Sequence, residues 1–498
     1  MKVSLINTSI GGIVGLEMIT FVEPLGLECV AGALEPEGHE CQIIDMRIEK
    51  FEEALSKMKS FKPDIIGITC IFTTQRYRVA RMAQLMKREF PEALIMLGGH
   101  DVSRDPHWFI REGVDVCTVG DGEEIVPDLV RTYSEDGDLR NVPGLVLNTP
   151  SGPIDTGHAP ARRPLDEHPS PARHLIAGYK DEYYLNFHRP ISLVETARGC
   201  PFKCNFCSVW KFHESTFREK SPERVVEELS KINSPNVFFT DDIFWMNHRR
   251  AIELGKAIAA TGIKRHYNIQ TRSDIIVRFP ELIELWQECG KITIFLGLEK
   301  VDDEGLESVN KNNTAANNNR AIEIVQESGA GYSPNFIVDP SWERKDFDKV
   351  KRWIDKTGAY SSGFSIITPL PGTDLWDEVK DDVFTEDWEL YDIAHTVFPT
   401  RLPLNEFYKE YCGLWSHAMD VRMKIRGRLR THLEILAALA TRKVTVKAMR
   451  KGMRMGKALS DPKRFLNSHE SSPARLEKYS DLITHPNDMN TVAELKAV

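Results

Sequence analysis

The sequence predicts an α/β chain in three parts: a doubly wound parallel sheet, a partial (β/α)6 barrel, and a helical C-terminal region. Three observations carry this. Short β-branched runs alternate with amphipathic stretches through the first 140 residues, six further strand-then-helix units follow from Ile191, and beyond about residue 385 only helical spacing remains. Alternating βα units give parallel sheets covered by helices. A chain of 498 residues also exceeds the size at which one hydrophobic core stops growing. The boundaries expected are 1–140 for the first domain, 141–185 for a linker, 186–385 for the barrel and 386–498 for the helical region.

In the first domain the strands are Lys2 to Asn7, Cys41 to Met46, Asp64 to Cys70, Ala93 to Leu97 and Val114 to Val119. A doubly wound sheet binds its ligand in the crevice outside the carboxyl ends of its strands. The last three loops there read Ile71-Phe72-Thr73-Thr74, Gly98-Gly99-His100-Asp101 and Gly120-Asp121-Gly122-Glu123. Glycines in such loops let backbone approach a bulky planar or phosphate-bearing ligand. Residues 141–185 are rich in Pro, Gly, Arg and Asp with little periodicity, which reads as a connecting segment.

The barrel strands are Ile191 to Thr196, Asn236 to Thr240, His266 to Gln270, Ile292 to Leu298, Tyr332 to Val338 and Gly363 to Ile367. Chemistry in such barrels sits at the carboxyl ends of the strands. Directly after the first strand come Cys200, Cys204 and Cys207, spaced C-x3-C-x2-C. A closed structural metal site normally has four protein ligands, so three thiolates hold three corners of a cluster and leave one metal position open. His213 offers a fourth ligand for a zinc site, but zinc spacings come as two pairs and no second pair occurs. Cys29, Cys41, Cys70, Cys117, Cys289 and Cys412 are scattered singly on apolar segments, where free cysteine behaves as a small core hydrophobe.

The other strand ends are polar: Thr240-Asp241-Asp242, then Gln270 with Arg272 and Ser273, then Gly297-Leu298-Glu299, then Asn335 to Asp339. Backbone carbonyls with a carboxylate suit a cationic group, and the polar side chains suit ribose hydroxyls. Any one of these residues alone reads as a helix cap or surface-loop residue. Four sets at successive strand ends read as a site.

The stretch Arg198-Gly199-Cys200-Pro201-Phe202-Lys203-Cys204-Asn205-Phe206-Cys207 resembles the cluster motif of the radical-SAM superfamily. The resemblance implies a 4Fe-4S cluster on Cys200, Cys204 and Cys207, with S-adenosylmethionine (SAM) chelated to the open iron. It also implies SAM contacts from Phe206 at the adenine, Thr240, Asp241 and Asp242 at the methionine ammonium, Gln270 and Arg272 at the ribose and carboxylate, Glu299, and Phe336 in the segment flanking the adenine. Asp339 stands where that family often has glycine. Pro369-Leu370-Pro371-Gly372-Thr373 resembles an element that closes the barrel near the substrate through a tight turn.

Placed just ahead of that motif, the first domain, with Pro24-Leu25-Gly26-Leu27 and its Gly-Gly-His and Gly-Asp-Gly-Glu loops, resembles the Rossmann-like cobalamin-binding domain of the cobalamin-dependent radical-SAM enzymes. This implies cobalamin contacts at Leu25, Gly26, Phe72, Thr73, Thr74, Gly98, Gly99, His100, Gly120, Gly122 and Glu123. No Asp-x-His-x-x-Gly sequence occurs in residues 1–140. Cobalamin would therefore sit with its base off cobalt and no protein histidine beneath, the Ile71 to Thr74 loop would neighbour its lower face, and His100 reads as a loop hydrogen-bonding residue.

The order Glu23 to Glu28, Val194 to Cys200, Ile269 to Asp274 and Val338 to Trp342 most resembles the hopanoid C-3-methylating branch over residues 1–400. The resemblance implies methylation of an unactivated carbon in a hopanoid or other lipid, with SAM as both methyl and radical source, because heterolytic transfer does not act on a non-nucleophilic carbon. Two alternatives stand beside it: a radical-SAM cyclase or rearranging enzyme of tetrapyrrole or other secondary metabolism, and a sensor that cleaves no SAM. The partners expected are a small-molecule or lipid substrate and a flavodoxin, ferredoxin or reductase as electron donor.

The net charge of -9 argues against a general nucleic-acid binder. No basic-then-apolar leader and no membrane-length apolar run can be read, which points to the cytoplasm or its membrane face. Between Arg422 and Arg464 basic residues outnumber acidic ones, with Leu429, Leu433, Ile435, Leu436, Leu439, Met449, Met453 and Met455 interleaved. Such a stretch reads equally as a peripheral contact with an anionic membrane or as a solvated helical face. Tyr332, Trp342 and Tyr360 read as core residues or as substrate neighbours.

Overall fold

The computed structural model describes the chain except residues 14–19, 112, 162, 187, 428–453, 455 and 478–498. Its first sheet holds β1 (Lys2–Asn7), β2 (Glu40–Asp45), β3 (Ile65–Thr69), β4 (Leu94–Gly98) and β5 (Val116–Thr118) in the parallel order β2-β1-β3-β4-β5. The order reverses between β1 and β3, and that switch point is where a doubly wound sheet opens a ligand crevice. Helices α1 (Leu25–Leu34), α2 (Phe51–Phe61), α3 (Arg76–Glu89), α4 (His100–Arg104) and α5 (Gly122–Ser134) connect the strands. Because side chains alternate along a strand, Leu5 joins Leu27, Leu34 and Leu129 on one face, while Ile6 joins Met58, Val79 and Leu85 on the other.

The segment 141–185 differs from the expected linker. Its first part forms β6 (Leu145–Leu147) and β7 (Ile154–Asp155), which extend the first sheet as antiparallel edge strands. Ile176 and Tyr183 then pack into the first domain's core. Pro143, Gly144, Pro150, Gly152 and Pro153 flank these two strands, so no run long enough to carry a period survives there.

The second sheet holds β8 (Ile191–Val194), β9 (Asn236–Phe239), β10 (Arg265–Thr271), β11 (Gly290–Glu299), β12 (Gly331–Val338) and β13 (Gly363–Ile366), in chain order and parallel throughout. It is covered by α6 (Pro222–Ser230), α7 (His248–Ala260), α8 (Glu281–Cys289), α9 (Ala315–Ser328) and α10 (Arg344–Thr357). Along β11, Ile292, Ile294, Leu296 and Leu298 belong to the core beneath the helices. Thr293, Phe295, Gly297 and Glu299 therefore face the lumen, and Phe295 is left 43% exposed there.

The helix α11 (Leu404–Arg426) docks on α10, with Lys351 Nζ 2.8 Å from Glu410 Oε2. α12 (Pro462–Glu470) stacks Phe465 on Tyr408 of α11 at 5.0 Å. Most of the basic stretch between Arg422 and Arg464, including each of its named Leu, Ile and Met residues, lies outside the described residues. No helix among the described residues is long and apolar enough to cross a membrane.

Candidate functional site

The cysteine loop leaves β8 and crosses the carboxyl end of the barrel. Gly199 takes φ +90°, and a Cβ there would collide with the Thr216 carbonyl, so the turn into Cys200 requires glycine. Cys200, Cys204 and Cys207 are free thiols. Burial raises the pKa of all three, Cys207 to about 12, and charge on Cys204 raises its two neighbours further. A bound cation would favour their thiolate forms. No three ligating groups among the described residues converge as a site for one metal ion. His213, the candidate zinc ligand, instead packs on the Phe212 ring, and burial lowers its pKa to about 4.

The loop is gripped from the barrel side. Asn205 N–H donates to Val309 O (3.3 Å), Leu375 N–H donates to Asn205 O (3.0 Å), and Trp210 Nε1–H donates to Cys204 O (3.0 Å). The Arg272 guanidinium lies 3.6 Å over the Phe202 ring. Phe206 packs with Ile337, Ile367 and Leu375. The Pro-rich turn at 369–373 thus leads straight into a contact with the cysteine loop, and Arg104 Nη1–H of the first domain donates to Pro371 O (3.0 Å).

The first domain grips the same loop. His100 Nε2 lies 2.7 Å from Ser208 Oγ, and burial lowers the ring's pKa to about 3, so His100 is a neutral partner of the cysteine loop. Arg198, two residues before Cys200, donates to Glu195 Oε2 (2.7 Å), pairs with Glu123, and lies 3.4 Å from Asp121 Oδ1. Arg218 Nη2–H donates to Asp121 Oδ2 (2.7 Å). Burial opposes ionisation of Asp121 and Glu123, yet the Arg198 charge, joined at Asp121 by Arg218, outweighs it and holds both carboxyls below their ordinary range.

Several residues expected at cobalamin also make contacts within the protein. The Glu123 carboxylate is bound to Arg198 rather than free. Thr73 Oγ1–H donates to Asp101 Oδ1 (2.7 Å) and Thr74 Oγ1–H to Ile10 O (2.6 Å), so both side chains are turned into the protein. A Cβ at Gly99 would lie 2.5 Å from Cys70 O, one at Gly98 2.6 Å from Thr118 Oγ1, and one at Gly122 3.0 Å from Val30 Cγ2. Glycine at these three positions lets the chain pack closely on itself. Gly120, at φ +122°, makes a turn. At the switch point, Ile71 and Phe72 remain 41% and 39% exposed on the loop after β3, and Gly26, beside the half-buried Leu25 in α1, has open space where a Cβ would stand. An exposed apolar pair beside an open helix start suits a broad, flat, largely apolar ligand face.

At the barrel strand ends the two aspartates divide. The Asp241 carboxylate accepts Thr196 N–H (2.6 Å) and the Thr196 hydroxyl, stapling β9 to the segment leaving β8, and burial raises its pKa to about 7. Asp242 Oδ2 accepts Gly199 N–H (3.1 Å) beside the cysteine turn, and burial raises its pKa to about 6. Thr240 and Gln270 lie half-buried at neighbouring strand ends. Arg272 Nη1–H donates to Lys311 O (3.0 Å) and Nη2–H to Asn312 O (2.8 Å). Glu299 sits at φ +62° and pairs with Lys311 Nζ at 2.7 Å.

Phe336 turns its ring away from the lumen. Its ring is buried against Trp353 (5.0 Å) and Phe364 (6.1 Å) on the helix side of β12, and Ile337 takes the place beside Phe206. A strand's side chains reverse at every residue, so the lumen position is one step from the residue expected. Tyr332, Trp342 and Tyr360 contact Gln326, Phe347 and Arg426 on the outer layer. Phe295, Ile337 and Lys311 were not singled out by sequence; the two-residue period of 290–299 contains the signal for Phe295.

Residues 12–130 match the family model of the B12 binding domain, and residues 194–354 match that of the Radical SAM superfamily. The chain is 35% identical over 422 residues to hopanoid C-3 methylase of Methylococcus capsulatus, a match covering 82% of this chain and 80% of that protein. The fold is shared with the cobalamin-dependent S-adenosylmethionine radical enzyme OxsB, solved with aqua-cobalamin and S-adenosylmethionine bound, at TM-score 0.67 and 14% identity over 97% of this chain and 84% of that one. It is shared also with the radical S-adenosylmethionine methyltransferase TsrM of Kitasatospora setae, solved with cobalamin and a [4Fe-4S] cluster, at TM-score 0.60 and 18% identity over 76% and 78% of the two chains.

Proposed function

Because this chain belongs to the cobalamin-dependent radical-SAM enzymes, we propose that it methylates an unactivated carbon of a hopanoid, at C-3, or of a related lipid. The observation that carries this reading is the double grip on the cysteine loop, through His100–Ser208 and through Arg198 with Asp121 and Glu123. It sets the first domain's crevice against the barrel's carboxyl face, as a methyl transfer to a short-lived carbon radical requires. The cluster supplies reductive cleavage of SAM to a 5'-deoxyadenosyl radical, and cobalamin supplies the methyl group.

The chain's own residues hold and orient. Cys200, Cys204 and Cys207 bind the cluster. Asp242 receives the methionine ammonium through a charge-assisted bond, while Asp241 holds the strand end that presents it. Phe206 and Ile337 flank the adenine, and Gln270 and Glu299 meet the ribose and carboxylate side. Ile71 and Phe72 would meet the corrin with their exposed apolar side chains, and Phe295 with Ile337 keeps water from the lumen. Electrons from a flavodoxin, ferredoxin or reductase enter from the outer side of the loop, where a hollow of about 800 Å³ is lined by Phe202, Lys203 and Asn310. A membrane-resident substrate would give the basic stretch beginning at Arg422 an anionic surface to meet.

The test is anaerobic reconstitution with iron, sulfide and hydroxocobalamin, then incubation with SAM, a strong reductant and a hopanoid. The expected products are 5'-deoxyadenosine, S-adenosylhomocysteine and a hopanoid heavier by one methylene. Deoxyadenosine without S-adenosylhomocysteine or added mass would move the function to cyclisation or rearrangement.

A further inference from the structure

Ile393 takes φ +57°, a left-handed backbone that β-branched residues strongly avoid and that glycine or asparagine adopts readily. It is also out of place by exposure. Every residue from Asp387 to Val397 is buried except Ile393, which is 41% exposed. Its side chain is the one opening in an otherwise enclosed run.

The flanking contacts place that opening and hold the backbone. The Ile393 carbonyl accepts Ile366 N–H (2.6 Å) at the end of β13, so the residue sits at the barrel's carboxyl face. On one side, Asp392 Oδ2 accepts Ile13 N–H (3.1 Å), while its Oδ1 accepts Ala394 N–H and His395 N–H (3.1 Å each) and lies 2.9 Å from His395 Nδ1. On the other, Glu389 Oε2 accepts Gly12 N–H (2.8 Å), and its other oxygen pairs with Arg78 of α3. A Cβ at Gly12 would lie 2.9 Å from Asp392 Cβ and 3.5 Å from Thr74 Cγ2. The strap therefore spans the loops after β1 and β3, at the switch point of the first sheet, and the end of the barrel's last strand. Strain persists only where surrounding contacts over-determine it, and it collects at functional positions.

We propose that Ile393 is a substrate-contacting residue that sets specificity: the strap presents an apolar side chain in the gap between the cobalamin crevice and the barrel, against the hydrocarbon of the substrate. The inference rests on the C-methylation reading. It explains why isoleucine occupies a position whose backbone favours glycine.

The decisive variant is Ile393→Gly, which relieves the backbone. Its melting temperature should equal or exceed that of the wild type, and its cobalamin uptake, followed by visible absorption, should be unchanged. Its retention of the hopanoid in equilibrium dialysis should fall about tenfold or more, the size expected for one lost apolar contact. Methylated product per 5'-deoxyadenosine should fall with it, while Ile393→Val keeps both near wild type. Wild-type retention and product ratio in Ile393→Gly would overturn the proposal. If the glycine variant melts lower, the Val and Asn variants decide, since asparagine tolerates the backbone without the apolar group: equal retention by the two would overturn it. A wild type that retains the hopanoid but yields no methylated product would instead refute the C-methylation reading, leaving the contact at Ile393 measurable by dialysis.

Discussion

At the first sheet, the strand-end side chains hold protein: Thr73 binds Asp101, Thr74 binds the Ile10 carbonyl, His100 meets Ser208, and Asp121 and Glu123 enclose Arg198. At the second sheet, Gln270, Phe295 and Ile337 turn toward the lumen, and Asp242 stands beside the cysteine turn. Two sheets with the same βα logic thus use their carboxyl ends differently. The first leaves Ile71, Phe72 and the start of α1 open. The second leaves polar and apolar side chains open toward its lumen. Substitutions in the first set should therefore disturb how the domains are held together, whereas substitutions in the second should disturb binding.

The sharpest way to break this division is Arg198→Met. It leaves Asp121 and Glu123 without their shared cation in a buried interface, and removing one partner of a buried pair costs about 3–5 kcal/mol. Denaturant unfolding should show a loss of that size, and methylated product per deoxyadenosine should fall with it. An unchanged unfolding midpoint would mean that the pair does not join the domains.

Gly26→Ala sharpens the comparison with a smaller effect. Gly26 lies in the first turn of α1 with no atom within 4 Å of a Cβ, so alanine should stabilise the helix by about 0.5–1 kcal/mol. If backbone at this helix start meets the cofactor, a titration with hydroxocobalamin should show weaker binding in a protein that melts higher. Unchanged affinity would move the cofactor contact away from α1.

Much of this was legible in the sequence. Both sets of parallel strands could be read because each strand is built on a sequence run of five or more residues, Val114 to Val119 around β5 among them, and the cysteine motif could be read because its spacing is local. The strands β6 and β7 have no such run. Phe336 and Ile337 could not be told apart, since a one-residue slip exchanges the helix face and the lumen. The pairing of Arg198 with Glu123 joins residues distant in sequence, so no local signal marks it. Ile393 is visible only once its backbone angle and its buried neighbours are known.

One chain thus carries two cofactor sites on separate sheets, joined by contacts that belong to neither ligand set. The most direct test replaces Cys200, Cys204 and Cys207 together with alanine and records visible absorption, electron paramagnetic resonance and deoxyadenosine formation after anaerobic loading with iron, sulfide and hydroxocobalamin. The account predicts loss of the cluster signal and of all SAM cleavage, with cobalamin bound as in the wild type. Retained cleavage, or cobalamin lost together with the cluster, would contradict it.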